Sequence, residues 1–252
     1  MNAFLLFTIQ APLASWGEIA VGEWRGSWDR PSRSAILGLL GAASGIERDD
    51  SDGQRALTTG YRIAVRGDAL GSSMQDYHTM QSVAKSLVKK RNPSTRAQLL
   101  EISDKETILS RREYRQNVVH TIAVWPGASA RWSLAELAAS LRRPVFALYA
   151  GRRSNPLGLP VLPDVVYADT LAAAFLGRPP IPTDLPSGLS RLRPAAGWGT
   201  EVAHDHCDGF HSGLVEPRRR HVRRDVPTNR VGWLFEERTM LVGMLPKQRV
   251  DL

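Results

Sequence analysis

Arginines stand at the start of a predicted helix in the first part of the chain. Arg30, Arg33 and Ser34 lie at the beginning of a helix predicted over Ser32–Ser44, which has apolar residues at helical spacing and a glycine directly after it. The unpaired backbone N–H groups and the dipole of a helix favour an anion at this end. The segment therefore predicts a phosphate contact made by Arg30, Arg33 and the backbone amides of the first turn.

A second basic group, Gly151-Arg152-Arg153-Ser154, follows a strand predicted over Pro144–Tyr149. Two arginines beside a glycine at a strand end can bind phosphate through side chains and backbone together. An ordinary polar turn has the same composition. The basic character of the whole chain favours the phosphate-binding interpretation.

The tetrapeptide Asp76-Tyr77-His78-Thr79 combines an aromatic ring, a titratable ring and a hydroxyl group. Tyr77 or His78 could stack on a base. His78 could also act as a general base, which RNA cleavage by 2′-hydroxyl attack would need. Because the sequence identifies no acid that orients this histidine, a binding or structural role is favoured over catalysis.

A polar segment rich in lysine and arginine, about residues 71–115, interrupts the predicted elements. A long insertion in a compact domain is either functional or disordered. We expect a basic projecting arm, and a solvated loop without a role is the alternative. Arg111 and Arg112 in this segment complete the set of candidate RNA-binding residues, together with Arg25 in a tryptophan-containing loop before the first helix.

Two clusters in the last third of the chain have weaker signals. The block Arg218–Arg224 is dense in like charges, which repel unless a polyanion or an acidic partner neutralises them; a solvated strand edge is the alternative. The run His204-Asp205-His206-Cys207 has zinc-compatible ligand types, but its spacing is too compressed for a common structural site. Since P-loop and dinucleotide motifs are missing from the sequence as well, we expect neither a metal nor another cofactor.

The chain is strongly basic. Its 33 Lys and Arg against 25 Asp and Glu give a net charge of +8 over 252 residues. A protein of this charge often binds a polyanion, and arginine suits forked contacts to phosphate. The single cysteine fits a reducing compartment, and the sequence has neither a secretory signal nor an apolar run long enough to span a membrane. We therefore expect a cytoplasmic protein without a membrane partner.

The predicted elements follow the order strand, helix, strand, insertion, strand, helix, strand. With the insertion set aside, this is the βαββαβ pattern of a ferredoxin-like, RRM-type α+β domain. We place it at residues 1–158, followed by a small irregular, mostly β subdomain at 159–252, where prolines interrupt regular elements. Besides the segments given above, elements are predicted at Ala3–Ile9, Tyr61–Arg66, Val118–Trp125, Val165–Ala168 and Val231–Glu236 (strands) and at Ser133–Leu141 (helix).

Several motifs, in order along about residues 1–160, resemble the CasD-type subunit family, RAMP proteins of type I-E CRISPR Cascade complexes. Each motif is moderately specific by itself, and the ordered set is much more so. The matching residues are Pro12 with Trp16-Gly17, Arg33-Ser34 through Gly45-Ile46, Arg48-Asp49-Asp50, Asp76–Thr79, Glu106-Thr107-Ile108, Arg112-Glu113-Tyr114, and Gly151–Ser154 with Pro156-Leu157.

The resemblance implies a non-catalytic subunit that binds the guide RNA (crRNA), caps its 5′ handle and supports guided DNA recognition in antiviral defence. It implies that the handle lies near Arg30, Arg33, Ser34, Arg152 and Arg153. The insertion would be a thumb that contacts the adjacent backbone subunit. The large and small Cascade subunits, and target DNA through the complex, are the other implied partners.

Two alternatives stand beside this interpretation. The first is a metal-independent endoribonuclease that processes CRISPR repeat RNA, as in the type I-C branch of the wider family. The second concerns Arg33 alone, which could form an ion pair within the protein, for example with Asp49 or Asp50, and leave the RNA to other residues.

Overall fold

The computed structural model describes residues 1–20, 22–179, 181, 200–206 and 210–246, with the backbone alone described at 216–218. The helices of these residues are α1 (Arg33–Ala43), α2 (Ser51–Gly60), α3 (Lys85–Arg91), α4 (Arg96–Glu101), α5 (Leu134–Arg142) and α6 (Leu171–Leu176). The strands are β1 (Asn2–Ala14), β2 (Trp16–Gly17), β3 (Trp24–Arg25), β4 (Ser27–Trp28), β5 (Tyr61–Ala69), β6 (Ser72–Ser82), β7 (Glu106–Pro126), β8 (Asp164–Ala168), β9 (Glu201–Asp205), β10 (Val215–Asn229) and β11 (Leu234–Met244).

Most strands belong to one large sheet. Its order is β10-β11-β9-β5-β7-β1-β8, and β3 and β6 also pair with β7. Each pair is antiparallel except β3 with β7. In the centre of the sheet, Leu5 of β1 lies opposite Val124 of β7 on one side and Val165 of β8 on the other.

Helices cover both faces of this sheet. Successive residues of a strand point to opposite faces, and β1 is buried on both. Leu5 and Phe7 pack in one apolar core with residues of α1 and α5, whereas Phe4 and Leu6 pack in a second core with residues of α6. The structure thus confirms a mixed α and β fold built on an antiparallel sheet.

Helix α1 lies where the sequence predicts it. Ser32 Oγ accepts a hydrogen bond from the backbone N–H of Ala35 (3.2 Å), and Gly45, just past the helix, has a φ of +73° that favours glycine. The guanidinium of Arg230 packs against α1 at Gly38, where a Cβ atom would lie 3.4 Å from Nη1.

The basic insertion forms an arm (residues 72–116) that extends the sheet. β6 and β7 pair from Ser72 opposite Gln116 to Ser82 opposite Glu106, and α3 and α4 connect their far ends. β7 is 21 residues long, roughly 70 Å at the usual rise of a strand. The same strand therefore lies in the central sheet and in the arm, and it passes from one to the other at Asn117, where φ is +56°.

The strand predicted over Pro144–Tyr149 is wrong. The backbone N–H groups of Val145 and Phe146 donate instead to the carbonyl oxygens of Ala43 and Ala42, both at 3.0 Å, and so satisfy the C-terminal end of α1. The position beside β1 is taken by β8, which the sequence predicts as a separate C-terminal strand.

Helix α2 was not predicted from the sequence, because it is too polar to show a pattern of apolar residues at helical spacing. Among its buried residues, Leu57 is the one large apolar side chain, and the other two are glycines. The strand predicted over Val231–Glu236 begins later than expected, since a turn precedes Leu234, the first residue of β11.

The C-terminal strands share the sheet with the N-terminal ones. β9 pairs with β5, and β11 pairs with β9, so the sheet includes strands from both sides of residue 158. The division of the chain at that residue stays a prediction. Within the described residues, no helix combines the length and apolar character that a membrane crossing requires. Pro180, Pro182, Pro186 and Cys207 lie outside the described residues.

Candidate nucleic-acid interface

Arg33 is buried, with an exposed fraction of 5%. Its Nη1 donates to Oδ2 of Asp205, and its Nη2 donates to the carbonyl oxygens of Thr58 (2.7 Å) and Tyr61 (2.8 Å). Burial lowers the pKa of this guanidinium, and the charge of Asp205 partly offsets the effect. The ion pair considered in the sequence analysis therefore exists, with Asp205 rather than Asp49 or Asp50 as the partner.

The start of α1 does hold an anion, and that anion is a carboxylate of the protein. Oδ2 of Asp225, in β10, accepts a hydrogen bond from the backbone N–H of Arg33 (2.8 Å). Arg238 of β11 donates to Asp225 (2.7 Å) and to Asp205 (2.8 Å). The expected phosphate contact at this helix end is thus replaced by a buried network that joins α1 to β9, β10 and β11.

Arg30 is buried in a second ion-pair group. Its guanidinium donates two hydrogen bonds of 3.0 Å to Asp29 and one of 2.5 Å to Glu201. Burial disfavours its charge, but the hydrogen bonds and charges of the two carboxylates outweigh burial and raise the pKa of Arg30. Both arginines are buried and paired with carboxylates, and their contacts join the start of α1 to the C-terminal strands. A contact of either arginine with RNA stays a prediction.

The turn Gly151–Ser154 is held against the base of the arm. Gly151 has a φ of +85°, and a Cβ atom there would lie 1.9 Å from the carbonyl oxygen of Ser15. Nη1 of Arg152 donates to the hydroxyl of Tyr114 in β7 (2.8 Å), while Arg153 and Ser154 are exposed. The turn therefore presents one exposed arginine beside one that is held by Tyr114, and arginine is a common donor to phosphate.

Four predicted residues lie on the two faces of the arm, midway between its base and its far end. In the strand register, Tyr77 lies opposite Arg111, and His78 lies opposite Ser110, next to Arg112. Residues directly opposite each other share a face of a sheet, and neighbours along a strand point to opposite faces. Tyr77 and Arg111 therefore lie on one face, and His78 and Arg112 on the other.

Strand β3 adds one residue to each face of the arm, because it pairs with β7 beside Arg111 and Arg112. Trp24 lies beside Arg111, and Arg25 lies beside Arg112. Trp24 and Tyr77 are 44% and 57% exposed, so two aromatic rings flank Arg111 on its face of the arm. Arg25 folds back on its own loop and donates to the carbonyl oxygen of Gly22 (2.6 Å). Trp24 was not among the predicted site residues, although its type and its neighbour Arg25 could have indicated it.

The basic block near the C-terminal end lies in β10. Arg223 is buried, with its guanidinium carbon 3.3 Å from the ring centroid of Trp28. The side chain of Arg218 lies outside the described residues. The exposed arginines of the block are Arg219, Arg220 and Arg224.

The histidine-rich run does not gather into a metal site in the described part of the chain. No three His, Cys, Asp or Glu side chains meet there in an arrangement that could hold a metal ion. Nδ1 of His204 lies 2.8 Å from the carbonyl oxygen of Asp205, and the carboxylate of Asp205 binds Arg33 and Arg238.

A groove that sequence reasoning missed passes the start of α1. Two adjoining cavities of about 910 and 820 Å³ share Ser34, Trp233 and Phe235 in their walls. Gly151 lines the second cavity, so the turn that contacts the arm through Arg152 also borders the groove. The signal in the sequence that could have indicated this groove is Trp233, which lies close to Arg230 in the turn before β11.

Known proteins resemble this chain over most of its length. A family model described as CRISPR-associated protein (Cas_Cas5) matches residues 4–241. The CRISPR system Cascade subunit CasD of Escherichia coli (strain K12) is 30% identical over 193 residues, which are 73% of this chain and 81% of that protein.

Solved structures share the fold. A chain of a CRISPR RNA-guided surveillance complex has a TM-score of 0.62 at 24% identity, with 97% of this chain and 90% of that chain covered. A structure described as a Cas protein has a TM-score of 0.55 at 22% identity, with 98% and 97% covered. These likenesses confirm the resemblance that the sequence motifs indicated, and the chain belongs to the Cas5 family of CRISPR-associated proteins.

Proposed function

We propose that this chain is a non-catalytic subunit of a type I-E Cascade complex that binds crRNA and caps its 5′ handle. The observation that carries the proposal is the pair of exposed rings, Trp24 and Tyr77, on either side of Arg111 in the middle of the arm. Unpaired bases stack on exposed aromatic side chains, and arginine binds the phosphates between them. The Cas5 family and a relative that is a Cascade subunit support this function.

The exposed residues of the turn Gly151–Ser154 extend this surface. Arg153 and Ser154 are free to contact phosphate, while Arg152 is fixed by Tyr114. A net charge of +8 favours a polyanion. Together with Arg112 and His78 on the other face of the arm, these residues would hold the handle between the base and the middle of the arm.

The far end of the arm is suited to a protein neighbour. Helices α3 and α4 contain no buried residue, and the last turn of α3 carries Lys89, Lys90 and Arg91. Most of the stability of a helix in a protein comes from packing of one of its faces, so contacts with a partner would stabilise these two short helices. We propose that this end contacts the adjacent backbone subunit, with the large and small subunits and target DNA engaged through the assembled complex.

We also infer that β1, α1, β5, β7, α5 and β8 form a ferredoxin-like unit. The spatial order β5-β7-β1-β8 and its antiparallel pairs support this assignment, since they agree with a βαββαβ chain order. The cytoplasmic location expected from the sequence stays a prediction.

Assembly with guide RNA tests the proposal. The chain would be tagged and produced with the other Cascade subunits and a CRISPR array, and RNA bound to the purified complex would be sequenced. We expect a short crRNA whose 5′ handle resists a 5′ exonuclease in the complete complex and is degraded when this chain is omitted. A handle that is equally protected without the chain would contradict the proposal.

An endoribonuclease is the second candidate, and one observation favours it. Nε2 of His78 lies 2.5 Å from Oδ2 of Asp76, so a carboxylate lies beside this histidine, although Nε2 makes no hydrogen bond of acceptable geometry. Incubation of the pure protein with labelled repeat RNA in EDTA separates the two functions. Cleavage that is lost in His78→Ala and kept in His221→Ala would overturn the non-catalytic assignment.

A further inference from the structure

The groove beside α1 presents an exposed indole that is fixed in place. Trp233 is 63% exposed, and the guanidinium carbon of Arg48 lies 4.0 Å from its ring centroid. Nε of Arg48 donates to the carbonyl oxygen of Arg230 (2.9 Å), which anchors the arginine to the same turn. Phe235 lies beside the indole, with ring centroids 6.3 Å apart. The indole ring is therefore held in place by Arg48 and Phe235, and much of its surface is accessible to a ligand.

The same groove holds two arginines, Arg48 and Arg230, that form no ion pair with a carboxylate among the described residues. Arg230 is half-buried, and its Nη2 donates to the carbonyl oxygen of Ser34 (2.9 Å). Glu18, Glu47 and Asp49 also line the cavity, beyond ion-pair distance of the two guanidinium groups.

The guanidinium of Arg230 is in an unfavourable electrostatic environment. Burial, and next the positive charge of Arg48, lower its pKa. A buried charge is costly unless an opposite charge accompanies it. An anion in the groove would offset this cost.

We propose that the groove binds one nucleotide of single-stranded RNA, with a phosphate at Arg48 and Arg230 and the adjacent base stacked on Trp233. The inference rests on the proposed function, because it adds a site for the RNA that the chain is proposed to bind. The cavity of about 820 Å³ is within the range of small-ligand pockets. An unpaired base fits better than a duplex, since the paired bases of a duplex cannot stack on a side chain. An acidic peptide would match the arginines but would leave the indole unused.

Affinity for a labelled single-stranded RNA from the CRISPR repeat, measured at several salt concentrations, tests the site. We expect Trp233→Ala to weaken binding about tenfold, in line with stacking on one aromatic ring. Arg48→Ala should lower the slope of log K against log salt by about 0.7, the value for one lost phosphate contact on a single strand. The matched control is Arg55→Ala, which removes the same charge from an exposed pair with Asp52 on α2 and should leave the slope unchanged.

Three other outcomes would contradict the proposed nucleotide site. If the wild-type protein binds the RNA and both groove variants bind it with the same affinity and salt slope, the inference fails and the proposed function stands. If the wild-type protein binds no RNA, alone or in the complex, both fail. If the variants keep RNA and lose a partner subunit, the groove holds a peptide instead. Arg230→Met, with thermal unfolding checked, provides a further variant inside the groove and should weaken RNA binding as Arg48→Ala does.

Discussion

Arg33 and Asp205 form a buried ion pair across 172 positions of the sequence. Arg238 binds the other oxygen of Asp205 and also Asp225, and Asp225 accepts from the backbone N–H of Arg33, so the contacts close into a ring. Helix α1 and three C-terminal strands meet at this ring. Since the hairpin of β10 and β11 carries Trp233 between its strands, the ring also fixes the hairpin that borders the groove.

Removal of one charge from the ring should destabilise the protein strongly. Asp205→Asn leaves Arg33 and Arg238 buried without their shared carboxylate, and breaking a buried pair typically costs about 3–5 kcal/mol. Denaturant unfolding measures the change in free energy. The control is Asp52→Asn, whose partner Arg55 is exposed and whose loss should cost about 0–1 kcal/mol. Equal losses in the two variants would show that the ring does not stabilise the fold.

His120 should make stability depend on pH. Burial, followed by the charge of Arg30, lowers the pKa of His120 from 6.5 to about 3. Between these values the unfolded chain binds a proton that the folded chain does not, so the free energy of unfolding falls as the pH falls, by about 1.4 kcal/mol per pH unit. His120→Gln should remove this part of the slope between pH 6.5 and 3, whereas His211→Gln, at an exposed position, should keep it. Denaturant unfolding across this range provides the measurement, and identical slopes for wild type and His120→Gln would refute the prediction.

Gly151 should tolerate no side chain. A Cβ atom would lie 1.9 Å from the carbonyl oxygen of Ser15, and the φ of +85° is itself unfavourable for other residues. We expect Gly151→Ala to destabilise the protein by about 1–3 kcal/mol and to weaken RNA binding, because the turn that carries Arg153 must move. Gly177→Ala is the matched control, since its Cβ would have ordinary contacts at 3.6 Å. Thermal unfolding and RNA affinity are measured on both variants. Equal stability and equal affinity of Gly151→Ala and Gly177→Ala would contradict the prediction.

Tyr77 and Arg111 should contribute to RNA binding on the same face of the arm. We expect Tyr77→Ala to weaken binding of repeat RNA about tenfold through lost stacking, and Arg111→Ala to lower the salt slope by about 0.7. Tyr167→Ala serves as the control, because Tyr167 is equally accessible, at 68%, but lies in β8 on the other side of the sheet. Full affinity in Tyr77→Ala, or an equal loss in Tyr167→Ala, would exclude a specific role for this face. Filter binding or fluorescence anisotropy gives the affinities.

Local signals made some elements predictable. Helix α1 and helix α5 were predicted nearly to the residue, because Ser32 and Ser133 cap them through contacts only a few residues long. The strand predicted over Pro144–Tyr149 failed because partner choice is not local. Its apolar residues are equally suited to a strand, but the edge beside β1 belongs to β8, which follows later in the chain.

The same limit explains the candidate site. A sequence shows that Arg33 begins a helix, yet it cannot show that Asp205 and Asp225 approach that helix from C-terminal strands. Phosphate and carboxylate are alike to a guanidinium, so residue type alone leaves both partners open. By contrast, Tyr77 and Arg111 could be proposed from residue type and charge, and the structure places them opposite each other on a strand pair of the arm. Their pairing with Trp24 needed the fold.

The passage of β7 through Asn117 has a mechanical consequence. The arm is not suspended on a flexible loop, since one of its two strands continues into the centre of the sheet between β1 and β5. A force applied at α3 or α4 is therefore transmitted along β7 to the hydrogen bonds that join this strand to β1 and β5. A partner bound at α3 and α4 would therefore also constrain the orientation of the central sheet.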